Sequence, residues 1–268
     1  MGKKWKNAPV MYTVAQVRFN QILSIENFVP AIQEKLRTIG FPDYRKEIIN
    51  ALTISIGQPG QQDAPPVIQP VSRFIFSNIE STSGFTLESN ALSFQLTDYD
   101  VFESFLATFV KVLSIVHECV GLNFVERIGI RYLDAVLPRP GELLPEYLKP
   151  EVLGLSCELN GKLVHSYTET VRINEDTKVG LIARTIIRDA PLSLPPEITQ
   201  TSYILNARFR DFKGTHAIID NDAYLDELRM PFDTEKISKL LDDLHVEIAE
   251  SFQKAATPKA IQIWKDGE

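Results

Sequence analysis

The chain has 268 residues, 44% of them hydrophobic and 24% charged, with two cysteines and a formal net charge of −7. This composition excludes a disordered or fibrous chain, and a chain of this size buries enough apolar surface to fold without disulfide staples. Cys119 and Cys157 stand far apart with no CxxC or Cys/His spacing around them, which argues against a disulfide framework and a structural zinc site.

No run of about 18 apolar residues offers a transmembrane helix. The basic start Met1-Gly-Lys-Lys-Trp-Lys leads into a polar, strand-like segment and not into the apolar stretch of a secretory signal, so a cytoplasmic protein without membrane contact is expected. Residues 218 to 268 carry 6 Lys+Arg against 12 Asp+Glu, and the rest of the chain is close to balanced. An acidic C-terminal end disfavours nonspecific contact with nucleic acid or anionic lipid through that surface, and leaves a local basic patch elsewhere open.

Along the chain, Val10 to Phe19 alternates apolar and polar residues as a strand does. Phe28, Ile32, Leu36 and Ile39 lie at helical spacing and Gly40 ends that helix, with Pro30 tolerated in the first turn. Ile48 to Gly57 reads as a strand and Gln58 to Pro70 as a loop. Three strand-like runs follow, Arg73 to Ile79, Gly84 to Ser89 and Ala91 to Leu96, with turns short enough for an antiparallel meander. Thr97 and Asp100 resemble a capping box ahead of a long helix with Val101, Phe105, Phe109, Val112 and Val116 on one stripe, closed by Gly121. The opposite positions Phe102, Leu106, Val110 and Leu113 are apolar too, so this helix should be buried between layers or against a partner chain.

Leu122 to Val136 is a long strand candidate and 137–150, with four prolines, a connection between an N-terminal part, 1–136, and a C-terminal part, 151–268, although one continuous domain is equally compatible with the pattern. Beyond it, Leu155 to Leu159 and Lys162 to Ile173 flank Asn160-Gly161, a strong hairpin signal. Val179 to Arg188 is a further strand. Thr201 to Phe212 and His216 to Ile219 suggest a hairpin across Lys213-Gly214, and a helix beginning near Asp233 places Ile237, Leu240, Leu241, Leu244, Ile248 and Phe252 on one face. Strands outnumber helices and are joined by short turns. The expected fold is α+β, mostly antiparallel sheet with long helices on one face and two loosely similar halves.

Two stretches, Arg127-Ile-Gly-Ile-Arg131-Tyr-Leu-Asp134 and Ile218-Ile-Asp220-Asn-Asp222-Ala-Tyr224 ahead of the helix with Leu244-His245, join the opening Asn7-Ala-Pro-Val and Val17-Arg18-Phe19 in resembling a sporadically distributed family of uncharacterised bacterial proteins of about this length. The resemblance spans nearly the whole chain and implies an accessory role, such as a component of a defence or toxin-linked system. It carries no activity to transfer.

Phosphate-loop, dinucleotide, zinc-protease, serine-hydrolase and EF-hand signatures are absent, and no cofactor is expected. Asp220 and Asp222 share a strand face and, with Asp226, Glu227 and His216 nearby, suggest a hard-cation site for phosphodiester hydrolysis; the competing reading is a solvated acidic loop. His117-Glu118-Cys119 could suggest a thiol with a base, but helical neighbours point about 100° apart, and the competing reading is a histidine placed by the C-terminal helix dipole. His245 beside the apolar stripe reads as a boundary histidine. Arg127 and Arg131, Arg184 and Arg188, and Arg208 and Arg210 are evenly spaced within expected strands, so each pair shares a face, and together they would line an anion-binding or nucleic-acid surface. The competing reading pairs them with Glu126, Glu169, Glu158 or Asp211 across an exposed sheet. Read together, the residues favour a non-enzymatic interaction or scaffold module that binds a protein partner or a second copy of itself as a dimer. A nucleic-acid or nucleotide-anion binder is the alternative. A small-molecule cavity between a curved sheet and the last helix is a third possibility.

Overall fold

The structure is a computed structural model that describes residues 4–53, 67–198 and 203–267. In chain order it runs β1 (Val10–Phe19), a 3-10 turn and α1 (Val29–Thr38), β2 (Asp43–Thr53), β3 (Val67–Ser77), β4 (Ser83–Glu88), β5 (Ala91–Leu96), α2 (Phe102–Val120) and β6 (Phe124–Val136). After the short α3 (Pro150–Leu153) come β7 (His165–Ile173), β8 (Gly180–Pro191), α4 (Ala207–Arg210), β9 (Lys213–Leu225), β10 (Met230–Pro231), α5 (Thr234–Ala255) and α6 (Pro258–Asp266). The fold is α+β. Ten strands form one antiparallel sheet in the order β2-β3-β4-β5-β1-β6-β9-β8-β7, with β10 paired to β6, so that a single sheet runs through the chain on both sides of the proline-rich connection. No helix among the described residues is long and apolar enough to cross a membrane.

The largest core cluster joins alternate strand residues, among them Ala15, Val17, Phe19, Phe85, Phe94, Ile128 and Ile130, to the apolar stripes of α1, α2 and α5. Strand residues of the other parity, Tyr12, Leu133, Ile186 and Ile218, meet Leu192, Leu194, Ile198 and Phe209 in a second cluster. Helix boundaries follow local chemistry. Asp233 caps α5 by accepting from the amides of Glu235 and Lys236, and Gly121 closes α2 in the left-handed conformation at φ 75°. Helices α1 and α5 contact α2, whose Phe105, Phe109, Val112, Leu113 and Val116 enter the largest core cluster.

Several expectations need correction. Thr97 does not cap α2; its hydroxyl donates to the carbonyls of Thr82 and Ile204, and Val101 occupies the N-cap position without a side-chain bond. Leu155 to Leu159 is not a strand. Pro150 starts a helical turn that continues as a 3-10 turn through Cys157, and Gly161, at φ 123°, turns the chain toward β7 without a hairpin partner. The Thr201 to Phe212 strand, whose first two residues fall outside the described residues, is an irregular segment ending in α4, where the Asn206 side chain caps the turn. Lys213 instead begins β9, whose partner is β8 through Pro191↔Lys213. Of the expected loop Gln58 to Pro70, residues 58–66 lie outside the described residues, and Val67 onward is already strand paired to β2.

Candidate ligand cavity

From Arg127 onward, past a register shift, strand β6 sends its odd-numbered side chains to one face of the sheet and its even-numbered ones to the other. The odd set carries the arginines. Directly opposed residues of antiparallel neighbours share a face, and the registers Arg131↔Asp222, Leu133↔Asp220, Asp220↔Arg184 and Arg188↔His216 therefore put Arg127, Arg131, Arg184 and Arg188 on one face, as their even spacing requires. Arg208 and Arg210 do not join them, a correction that follows from their place on α4: Arg208 donates to the Asn7 side chain and the Ala8 carbonyl, and Arg210 pairs with Asp211 at 2.9 Å.

Strand β9 lies between β6 and β8, so the acidic strand separates the arginine strands and neutralises them. Asp220 is fully buried and receives Arg131 in a two-pronged contact, Nε at 2.7 Å and Nη2 at 2.6 Å. Arg131 Nη2 also reaches Glu197 at 2.8 Å, and Arg184 pairs with Glu169 at 2.6 Å while approaching Asp220 at 3.4 Å. Arg127 lies over the Tyr224 ring, its guanidinium carbon 5.1 Å from the centroid. Burial raises the Asp222 carboxyl above its usual range against the opposing pull of Arg127 and Arg131. Both oxygens of Asp220 are taken up by Arg131, and no group of three or more His, Cys, Asp or Glu side chains among the described residues is arranged to hold a metal ion. Beside this face is a recess of about 310 Å³ lined by Gln16, Arg73, Glu88, Gln95, Glu197 and Tyr203.

The even set of β6 faces a different space. Tyr132 and Asp134 line a cavity of about 450 Å³, enclosed by the N-terminal segment ahead of β1, the start of α2 and the middle of α5. Trp5 reaches it because the amides of Lys6 and Asn7 bond the carbonyls of Lys265 and Trp264, which ties the N-terminal segment to α6. Val10, Phe102, Ile248 and Phe252 supply apolar wall. The Phe102 and His245 rings stack at 3.8 Å and 5°, and the Tyr132 hydroxyl donates to that of Tyr99 at 3.1 Å.

Asp134 dominates the polar chemistry of this cavity. It is 4% exposed, and among the described residues no side chain or amide hydrogen-bonds its carboxyl. Burial, helped by the negative charge of Asp220, raises its pKa to about 8. The register shift between Val10 and Tyr12 on β1 lies directly beside it; such bulges re-aim side chains and are common next to functional sites. Burial lowers the His245 imidazole below its ordinary value and raises both tyrosine hydroxyls, so these three groups are neutral at physiological pH. A set of burial-shifted groups converging on one apolar cavity is the usual character of a ligand or reaction site.

Sequence reasoning did not select this site. Asp134 appears there only as the end of a strand motif and His245 only as a boundary residue, and Tyr99 carries no signal. A carboxylate two positions beyond Tyr132, on the apolar face of a long strand, is the sequence feature that points to it. No protein-family model matches the chain, and no curated protein matches it.

Proposed function

We propose that the protein binds a small molecule in the cavity between β6 and α5, with Asp134 at its inner wall. The observation that carries this reading is a buried carboxyl, without a hydrogen-bond partner among the described residues, facing an aromatic-lined space large enough for a compact ligand. The reading takes α1, α2 and α5 as a helical layer over one face of the sheet. It also treats β3-β4-β5-β1 followed by α2, and β7-β8-β9-β6 followed by α5, as two like units meeting at the β1–β6 pair. Their meeting brings the start of α2 against the middle of α5, where the cavity opens.

Energy transfer from Trp5 to a neutral apolar dye such as N-phenyl-1-naphthylamine tests the reading. Saturable transfer is expected in the wild type. Ala249→Phe, which puts a ring into the cavity from α5, should reduce dye affinity at least tenfold; equal binding by both proteins would overturn the assignment.

A second reading, self-association, is favoured by β7. This edge strand exposes Tyr167, Val171 and Ile173 on one face, each more than half accessible, and Leu155, Leu159 and Val164 just before it are exposed as well. An open, partly apolar edge is a ready pairing surface. Antiparallel pairing of two copies about Thr170 would set Tyr167 of one opposite Ile173 of the other. Light scattering should then show a dimer that Val171→Lys converts to monomer, and a wild type that stays monomeric at high concentration would remove this reading. Anion binding on the arginine face is less favoured, since Arg131 and Arg184 already face Asp220.

A further inference from the structure

We propose that the ligand of this cavity is an organic amine, a protonated nitrogen on a compact apolar or aromatic body, held by a salt bridge to Asp134. The inference rests on the cavity reading above and adds the chemical class. It follows from the sign of every electrostatic feature that faces the space.

The charged groups lining the cavity are all acidic: Asp134 on β6, Asp100 in the turn before α2, Glu103 on α2 and Asp242 on α5. Among the described lining residues there is no lysine or arginine, and Lys4, the nearest cation along the N-terminal segment, is engaged with Asp100 at 2.9 Å. The remaining polar groups, Tyr99, Tyr132 and His245, are uncharged at neutral pH and offer ring faces or acceptor oxygens. Trp5, Tyr99, Phe102, Tyr132 and Phe252 line the space with aromatic rings, of a kind whose faces attract cations, and Lys265 already lies over the Trp5 ring at 5.4 Å. Acidic lining alone would not define a site. Here the second, independent observation is Asp134 itself, 96% shielded from solvent, directed into the cavity and unmatched by any described donor.

The proton balance is specific. In the empty protein Asp134 holds a proton over most of the neutral range; a bound ammonium stabilises its carboxylate, so binding an already protonated amine releases one proton from Asp134 to solvent. His245, the other titratable group against this wall, is held below its ordinary value by burial, and Asp220 lies behind the sheet in its ion pair with Arg131. The observed affinity for an amine therefore rises about tenfold per pH unit from pH 6 toward 8 and then levels off.

The test uses 2-phenylethylamine and its neutral isostere 2-phenylethanol, both read by displacement of the naphthylamine dye from the full-length protein. The expected result is amine binding that strengthens between pH 6 and 8 and falls at least tenfold at pH 8 in Asp134→Asn, with 2-phenylethanol changed little by pH or by the substitution. Alcohol binding equal to or tighter than amine binding at pH 8, with no effect of Asp134→Asn on the amine, overturns the amine assignment and leaves the cavity reading intact. Failure of either compound and the dye to bind the wild type overturns both. Circular dichroism of Asp134→Asn shows whether lost binding comes from lost fold.

Discussion

At pH 8, Asp134→Asn unfolds at a higher urea concentration than the wild type, and the gap closes as the pH is lowered toward 4. A carboxyl whose pKa is about 8 in the folded chain, against an ordinary 3.8, retains a proton that the unfolded chain has released. The folded state binds more protons across that window. Stability is therefore full below about pH 4 and declines as pH rises, with a slope near 1.4 kcal/mol per unit until it flattens above 8. The accumulated cost at pH 8 is on the order of 5 kcal/mol. Asparagine fills the same volume with no charge to desolvate, so the difference between the two proteins isolates this group from the opposing effects of His216 and His245, whose lowered values destabilise the fold on the acid side. Equal stability of wild type and variant at pH 8 would show that Asp134 is hydrated or paired. A side chain that costs this much and whose carboxyl has no hydrogen-bond partner among the described residues is of the kind retained for binding or reaction.

Arg131→Ala is the most damaging single substitution on the opposite face. It leaves the buried Asp220 carboxylate with only the 3.4 Å approach of Arg184, and removal of one partner from a buried pair costs about 3–5 kcal/mol. Glu197, beside the 310 Å³ recess, loses its anchor as well. Asp220→Asn added to Arg131→Ala should recover a large part of the loss, because no charge then remains unmatched. Urea titration of the single and double variants measures both effects; a single variant within about 0.5 kcal/mol of wild type would mean that the pair is solvated and contributes as a surface bridge does.

Much of the fold is legible in the residue pattern, and the exceptions have identifiable causes. The 3.6-residue stripes of α2 and α5 and the period-2 alternation of β1 and β6 carry into the structure because tens of apolar contacts enforce one period in each. Residues 155–164 and 203–210 do not obey their apparent strand pattern. In the first, Pro150 sets a helical turn that the chain follows into a 3-10 turn. In the second, Tyr203 and Phe209 are buried singly under irregular backbone, so apolar spacing there reports no regular period. Arginine spacing put each pair on one face of its own expected strand, and the register of β6, β9 and β8 brings two of the pairs to a common face. The spacing held no information on strand order, and the arrival of β9 between β6 and β8 turned an apparent cationic surface into a neutralised network. Asp220, one of the two carboxylates that suggest a metal site, does the neutralising together with Glu197 and Glu169. The cavity was the least legible feature, since Trp5, Tyr99, the β6 pair Tyr132 and Asp134, and His245 come from four separate segments that only the tertiary fold brings together.

Carbon-13 NMR titration of the aspartate side-chain carboxyls, with Asp134 assigned by its absence in Asp134→Asn, bears most directly on this site. The Asp134 carboxyl should titrate near pH 8 in the free protein and shift to lower pH when 2-phenylethylamine is added. A midpoint near pH 4 that does not respond to the amine would mean an ordinary hydrated carboxylate, and would contradict a cavity anchored on Asp134.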